Sequence, residues 1–143
     1  MAKQRWALKA LCSVLLTSSM AGCHRAGNSS SSTSQAAEGE FLQAFLSAHD
    51  NKDLDAEKKL VDWDGVTEPS RDHFVGELKS GLDVKITVQA ENLPSVPAGF
   101  SSRYNIPPDK FLTVVYDDPR GPITVKFPIG KKDGRYYFAL RKE

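Results

Sequence analysis

The chain has 143 residues, 40% hydrophobic and 26% charged, and a formal charge of +1. That composition fits one globular domain with short appendages; it excludes a wholly disordered chain and an integral membrane protein. The only two cysteines, Cys12 and Cys23, precede the globular region. No disulfide can therefore staple its core, and no Cys/His cluster has zinc spacing.

Residues 1–9, MAKQRWALK, form a short basic start, followed by the largely apolar ALCSVLLTSSM and then by Ala21-Gly22. This order of basic, apolar and small residues is that of a secretory signal. The apolar run is about half of the ~20 residues a membrane-spanning helix needs. Met20-Ala21-Gly22-Cys23 resembles the lipobox of bacterial lipoproteins, with Met20 where leucine is commonest. The resemblance implies that residues 1–22 are removed and that Cys23 becomes the lipidated first residue of the mature chain. Palmitate-type acyl chains would then hold it to the cell envelope. His24, in place of aspartate, implies the outer membrane where the organism has two. Multiple acylation explains a thiol with no partner, because one chain anchors only marginally and two hold stably.

Removing residues 1–22, which carry three bases and no acid, takes the formal charge from +1 to −2. Residues 40–83 hold 11 acids against 5 bases, and residues 84–143 hold 6 against 10. Two oppositely charged halves complement each other within one domain. Residues 26–39, AGNSSSSTSQAAEG, carry no large apolar side chain and are expected to be a flexible spacer joining Cys23 to a domain over 40–143.

From Glu40 the apolar positions Phe41, Leu42, Phe45, Leu46 and Ala48 predict a helix. A second is predicted from Asp53 to Trp63, stopped by Asp64-Gly65. A third is predicted from an N-cap at Thr67, with Pro69 in its first turn, Phe74, Val75 and Leu78 on one face, and Gly81 at its end. Strands follow: Val84 to Ala90 by alternation, then FLTVVY at 111–116, ITVKF at 123–127 and RYYFALR after an Asp133-Gly134 hairpin turn. The Pro- and Gly-rich stretch between the first two strands reads as a long functional or mobile loop. The expected fold is α+β, with about three helices packed on one face of a three- to four-stranded antiparallel sheet. This layout resembles the cystatin-like and NTF2-like folds, a group so varied in function that it implies no particular activity. The stretches WDGV and PIGKKDGRYYF resemble segments of uncharacterised bacterial envelope proteins.

Catalysis requires a titratable group with a partner. His49 lies near Asp50, Asp53 and Asp55, and His73 follows Asp72, but adjacent residues on a helix do not face each other. No catalytic residue, cofactor or metal site is therefore assigned. A calcium loop from Asp53 would use Asp55, Glu57 and Asp64 but places Lys58 where glycine is required. The candidate ligand surface is the C-terminal hairpin, where alternation puts Lys126, Arg135, Tyr137 and Arg141 on the face opposite the core, with Lys131 and Lys132 near the turn. Basic and aromatic side chains together suit an anionic or glycan ligand or an envelope protein. They equally suit a sheet face kept soluble by charge. No nucleic-acid-binding motif is present. The expected protein is a lipid-anchored, non-catalytic binding or adaptor module. The alternatives are a small enzyme with a pocket between helices and sheet, and a structural envelope protein.

Overall fold

α1 runs from Ser29 to Asp50, α2 from Leu54 to Lys58 and α3 from Glu68 to Gly81, ahead of strands β1 (Ile86–Asn92), β2 (Pro108–Tyr116), β3 (Ile123–Lys132) and β4 (Arg135–Phe138). This computed structural model describes residues 29–142. The leader and Cys23 lie outside the described residues. The strands form one antiparallel sheet in the order β1-β2-β3-β4, so the α+β expectation holds, with the helices preceding the sheet.

Inward residues of the strands meet the apolar stripes of α1 and α3. Leu112, Val114, Ile129 and Phe138 are fully buried there with Phe41, Phe45, Phe74 and Leu78. Phe138 is the hub. Its ring centroid lies 5.3 Å from Phe41, 5.4 Å from Phe45, 5.2 Å from Phe74 and 5.8 Å from Phe127. These separations and the edge-on or tilted geometries suit the aromatic quadrupole. One short strand from the far end of the chain thereby ties both long helices to the sheet. The Asp133-Gly134 turn takes positive φ at both residues (51° and 82°), as a two-residue primed hairpin requires.

Three expectations need correction. Residues 29–39, expected as a spacer, continue α1 instead. Gln35, Ala36, Ala37 and Glu38 favour helix, Ala37 packs on the core, and Glu38 reaches Lys110 on β2 at 2.6 Å. Tertiary contact thus extends the helix beyond the start of its apolar stripe. The second helix, in turn, ends at Lys58 rather than near Trp63. Beyond it the chain turns to flank β4: Val61 bridges Phe138, and Phe138 N–H donates to Leu60 O.

The long loop is also pinned. Tyr104 and Ile106 bury with Ala139 in a small second cluster on the outer face of the sheet, against Phe100 and Tyr137. Gly130 lets the loop cross the sheet closely, because a Cβ there would lie 2.5 Å from Pro107 O.

Asn105 then decides where the chain ends up. Its N–H donates to Leu140 O at 2.9 Å, its Oδ1 accepts from Leu140 N–H at 2.8 Å, and its Nδ2 donates to Asp62 O. Tyr104 bridges Arg141, and Lys142 N–H donates to Arg103 O. Residues 140–142 are thereby drawn off β3 and onto the loop.

Candidate functional site

The diverted C-terminal segment leaves part of β3 open. β4 pairs only with Ile129–Lys132, so among the described residues no strand flanks Thr124–Phe127 on that side. α3 runs alongside and presents Ser70, His73, Phe74 and Glu77, spaced to lie on one helical face. Between helix and strand lies a groove of about 420 Å³ floored by Phe74, Phe127 and Phe138, with Leu140 and Arg141 at one end. A second hollow of about 250 Å³ shares Glu77, Val125 and Phe127 with it and reaches Gly81, Tyr116 and Ile123. Ile123 is one of the two exposed large hydrophobic residues among those described. The two hollows form one seam along α3, with Val125, Phe127 and Glu77 where they meet and charged side chains at its ends.

The Arg141 end is cationic. Arg141 also lines a polar hollow of about 550 Å³ with Ser102, Arg103 and Lys142. At the other end lies Asp118, whose carboxyl is held below the usual range by the Arg120 guanidinium beside it, 3.1 Å away. His73 stands over the seam, exposed, with Nε2 3.6 Å from Glu77 Oε1.

The hairpin residues expected to share one surface are divided. Lys126 and Arg141 line the groove. Arg135 and Tyr137 instead line a separate hollow with Lys59 and Phe41 beside α1. Tyr137 also packs against the second cluster, and Lys126 pairs with Glu91 at 2.6 Å across the sheet. Lys132 is bound to Asp62 and has its ammonium pKa raised by that carboxylate, while Lys131 is exposed. Cys23 lies outside the described residues.

His49 is not surface chemistry. It is only 5% exposed, and Glu57 beside it is fully buried. Nδ1 lies 3.0 Å from Glu57 Oε1, and Nε2 lies 2.8 Å from Val84 O. A carbonyl can only accept, so Nε2 carries a proton and a further proton is shared between Nδ1 and the carboxyl. Burial pushes the Glu57 pKa up, against the downward pull of the hydrogen bond and charge of His49. The pair joins the end of α1, α2 and the α3–β1 connection. Both ring nitrogens are occupied and the ring is covered, so His49 cannot reach a substrate. The other members of the acidic run have local roles: Asp53 caps α2 by accepting from Ala56 N–H, and Asp55 pairs with Lys58 at 2.7 Å. Among the described residues no group of three or more His, Cys, Asp or Glu is placed to hold a metal.

Comparison of the chain with protein-family models, curated proteins and solved structures found no match.

Sequence reasoning missed Asn105 and the pairing of Glu57, and named a pocket between helices and sheet only for the enzyme alternative, without the residues that line it. The α3 face was visible as 3.6-residue periodicity. Asn105, in contrast, sat unremarked between prolines, and its role depends on residues 35 and 43 positions away.

Proposed function

We propose that this chain is a lipid-anchored envelope protein, held to the membrane through Cys23, whose α+β domain is a non-catalytic binding module. The leader and Met20-Ala21-Gly22-Cys23 support the anchor. The observation that carries the binding role is the seam between α3 and the open stretch of β3, concave, floored by Phe74, Phe127 and Phe138 and cationic at the Arg141 end. Concave, mostly apolar sites with a few placed polar groups are where proteins take ligands. The occlusion of His49 favours binding over chemistry. Outer-membrane residence follows from His24 where the organism has two membranes.

Helix α1 beginning at Ser29 shortens the reach. Only five residues separate it from Cys23, at most about 20 Å of extended chain.

Two measurements test the reading. Cys23→Ala, expressed in a bacterial host, is expected to retain the leader and to carry no acyl mass, where the parent begins at an acylated Cys23. A variant that is cut and membrane-bound like the parent overturns the anchor. Phe74→Asp would put a charge in the floor of the groove but also opens a hole in the core and threatens the fold, so Arg141→Glu at the exposed end is the cleaner probe. Loss of a co-purifying envelope component in Arg141→Glu, with unchanged thermal unfolding, is the outcome expected of a binding module. Identical co-purification with both variants overturns it.

A further inference from the structure

The open stretch of β3 offers more than a groove. Ala139 N–H donates to Pro128 O at 2.9 Å, so the carbonyl of Pro128 faces the β4 side of the strand. Main-chain direction alternates along a strand, which turns the N–H and C=O of Lys126 and Thr124 the same way, toward the seam. Residues 140–142 pair with 103–105 rather than with β3, which leaves the main-chain groups of Lys126 without a strand beside them among the described residues. The seam thus has a row of main-chain donors and acceptors along one bank, an apolar floor, and cations at one end.

From this juxtaposition we propose that the seam takes an extended polypeptide segment of a partner protein. The segment adds as a further strand to the edge of β3 at Thr124–Phe127 and sets an acidic side chain against Arg141. The inference rests on the binding-module reading and names its partner class. The spacing of the β3 groups matches a peptide backbone, as in other cases of strand addition to a sheet edge. A phospholipid headgroup or an anionic glycan would use the cations but leave that row unmatched.

Charge complementarity sets the guest's polarity. Arg141 stands with Arg103 and Lys142 at one end, whereas Asp118, paired with Arg120, lies at the other and Glu77 lines both hollows between them. The edge is short. Pro122 and Pro128 bracket it, and prolines at edges restrict pairing with stray strands. The site therefore admits a segment of a few residues, not a whole sheet.

The test uses full-length protein in detergent and a synthetic library of nonapeptides, acetylated and amidated at their ends, with acidic, basic and β-branched residues at every position. Selected peptides are expected to carry Asp or Glu near one end. They should slow hydrogen exchange at the Thr124 and Lys126 amides, and should lose about tenfold in affinity when alternate backbone amides are N-methylated, the size of one or two lost hydrogen bonds. Arg141→Glu, an exposed change, is expected to switch the selection to lysine.

Peptides insensitive to N-methylation, or an unchanged selection by Arg141→Glu, overturn the proposal. So does preferential binding of vesicles containing anionic phospholipid, or of a sulfated oligosaccharide, through Arg141. These last two results sink the peptide while leaving the binding module standing. If no probe binds at all, both fall.

Discussion

Replacing Glu57 tests whether the buried His49–Glu57 pair is a structural tie. In Glu57→Ala the imidazole Nδ1 loses its partner in a site where the side chain is fully buried, and the deleted carboxyl leaves a hole beneath α2. Removing one member of a buried pair costs about 3–5 kcal/mol, a large share of the roughly 5–15 kcal/mol available to a domain this size. Glu57→Gln keeps the shape and a hydrogen-bonding group, and should cost about 1 kcal/mol. A double replacement, His49→Phe with Glu57→Leu, should cost less than Glu57→Ala alone, because no orphaned polar group remains. Urea unfolding followed by tryptophan fluorescence measures all three. The pH dependence adds a sign. Burial raises the folded-state pKa of Glu57, so its stabilising contribution is complete below the unfolded value near 4.3. That contribution is then lost as pH rises through the raised value. The stability advantage of the parent over Glu57→Gln should therefore shrink as pH rises from about 4.3. If Glu57→Ala stays within about 1 kcal/mol of the parent, or if the advantage grows with pH, the buried tie is refuted.

Further outcomes follow from single contacts. Gly39→Ala and Gly76→Ala, at helical positions where a Cβ meets nothing within 4 Å, should each stabilise by about 0.5–1 kcal/mol in thermal unfolding. A null effect at Gly39 would argue that the helix does not extend toward Ser29. Gly81→Ala should destabilise instead, since its Cβ would lie 2.6 Å from Tyr116 Cε1. Tyr116 is pushed up to about 12 by burial and by the charges of Glu57 and Glu77. Its ultraviolet titration should come late and vanish in Tyr116→Phe, and stability should fall as pH rises through about 10 toward that value. Asn105→Ala removes the side-chain bonds to Leu140 N–H and Asp62 O but keeps the main-chain bonds between 103–105 and 140–142. It should cost about 1–3 kcal/mol by the two lost side-chain bonds and speed hydrogen exchange at the Leu140 amide.

What could be read from the chain beforehand was local. The α3 stripe, the Asp133-Gly134 turn and the first strand depend on neighbours within a few positions and appear in the structure. Val75, however, is not among the buried residues of α3, and the strand runs from Ile86 to Asn92 rather than from Val84 to Ala90. The rest depends on distant residues. Glu57 looked like one more acid in an acidic run, until His49, eight residues earlier, met it in the core. The serine-rich stretch is weak in helix propensity on its own, and its end, at Ala37 and Glu38, meets the core and Lys110 of β2. Lys126 and Tyr137 alternate correctly, but alternation could not reveal that Glu91 would occupy one and the 93–107 loop cover the other.

These long-range ties also bear on how the seam would work. α3 is held at its C-terminal end by the close approach of Gly81 to Tyr116, and the chain just beyond it by the His49 bond to Val84 O. Along its length Phe74 packs on Phe127 and Phe138. The opposite bank, β3, is paired with β2 from Ile123 to Gly130. Neither bank can move toward the other without breaking core contacts, so the slot stands open before any partner arrives. A site formed in advance requires little ordering of the protein itself, and the main entropic cost of binding falls on the guest. A guest already extended, or held so within its own protein, should therefore bind more tightly than the same sequence as a free peptide. Cyclising a selected peptide in its extended form should raise affinity through slower dissociation. An induced closure of α3 on β3 would predict the reverse, with the cyclic and linear forms alike in affinity and new protection spreading along α3.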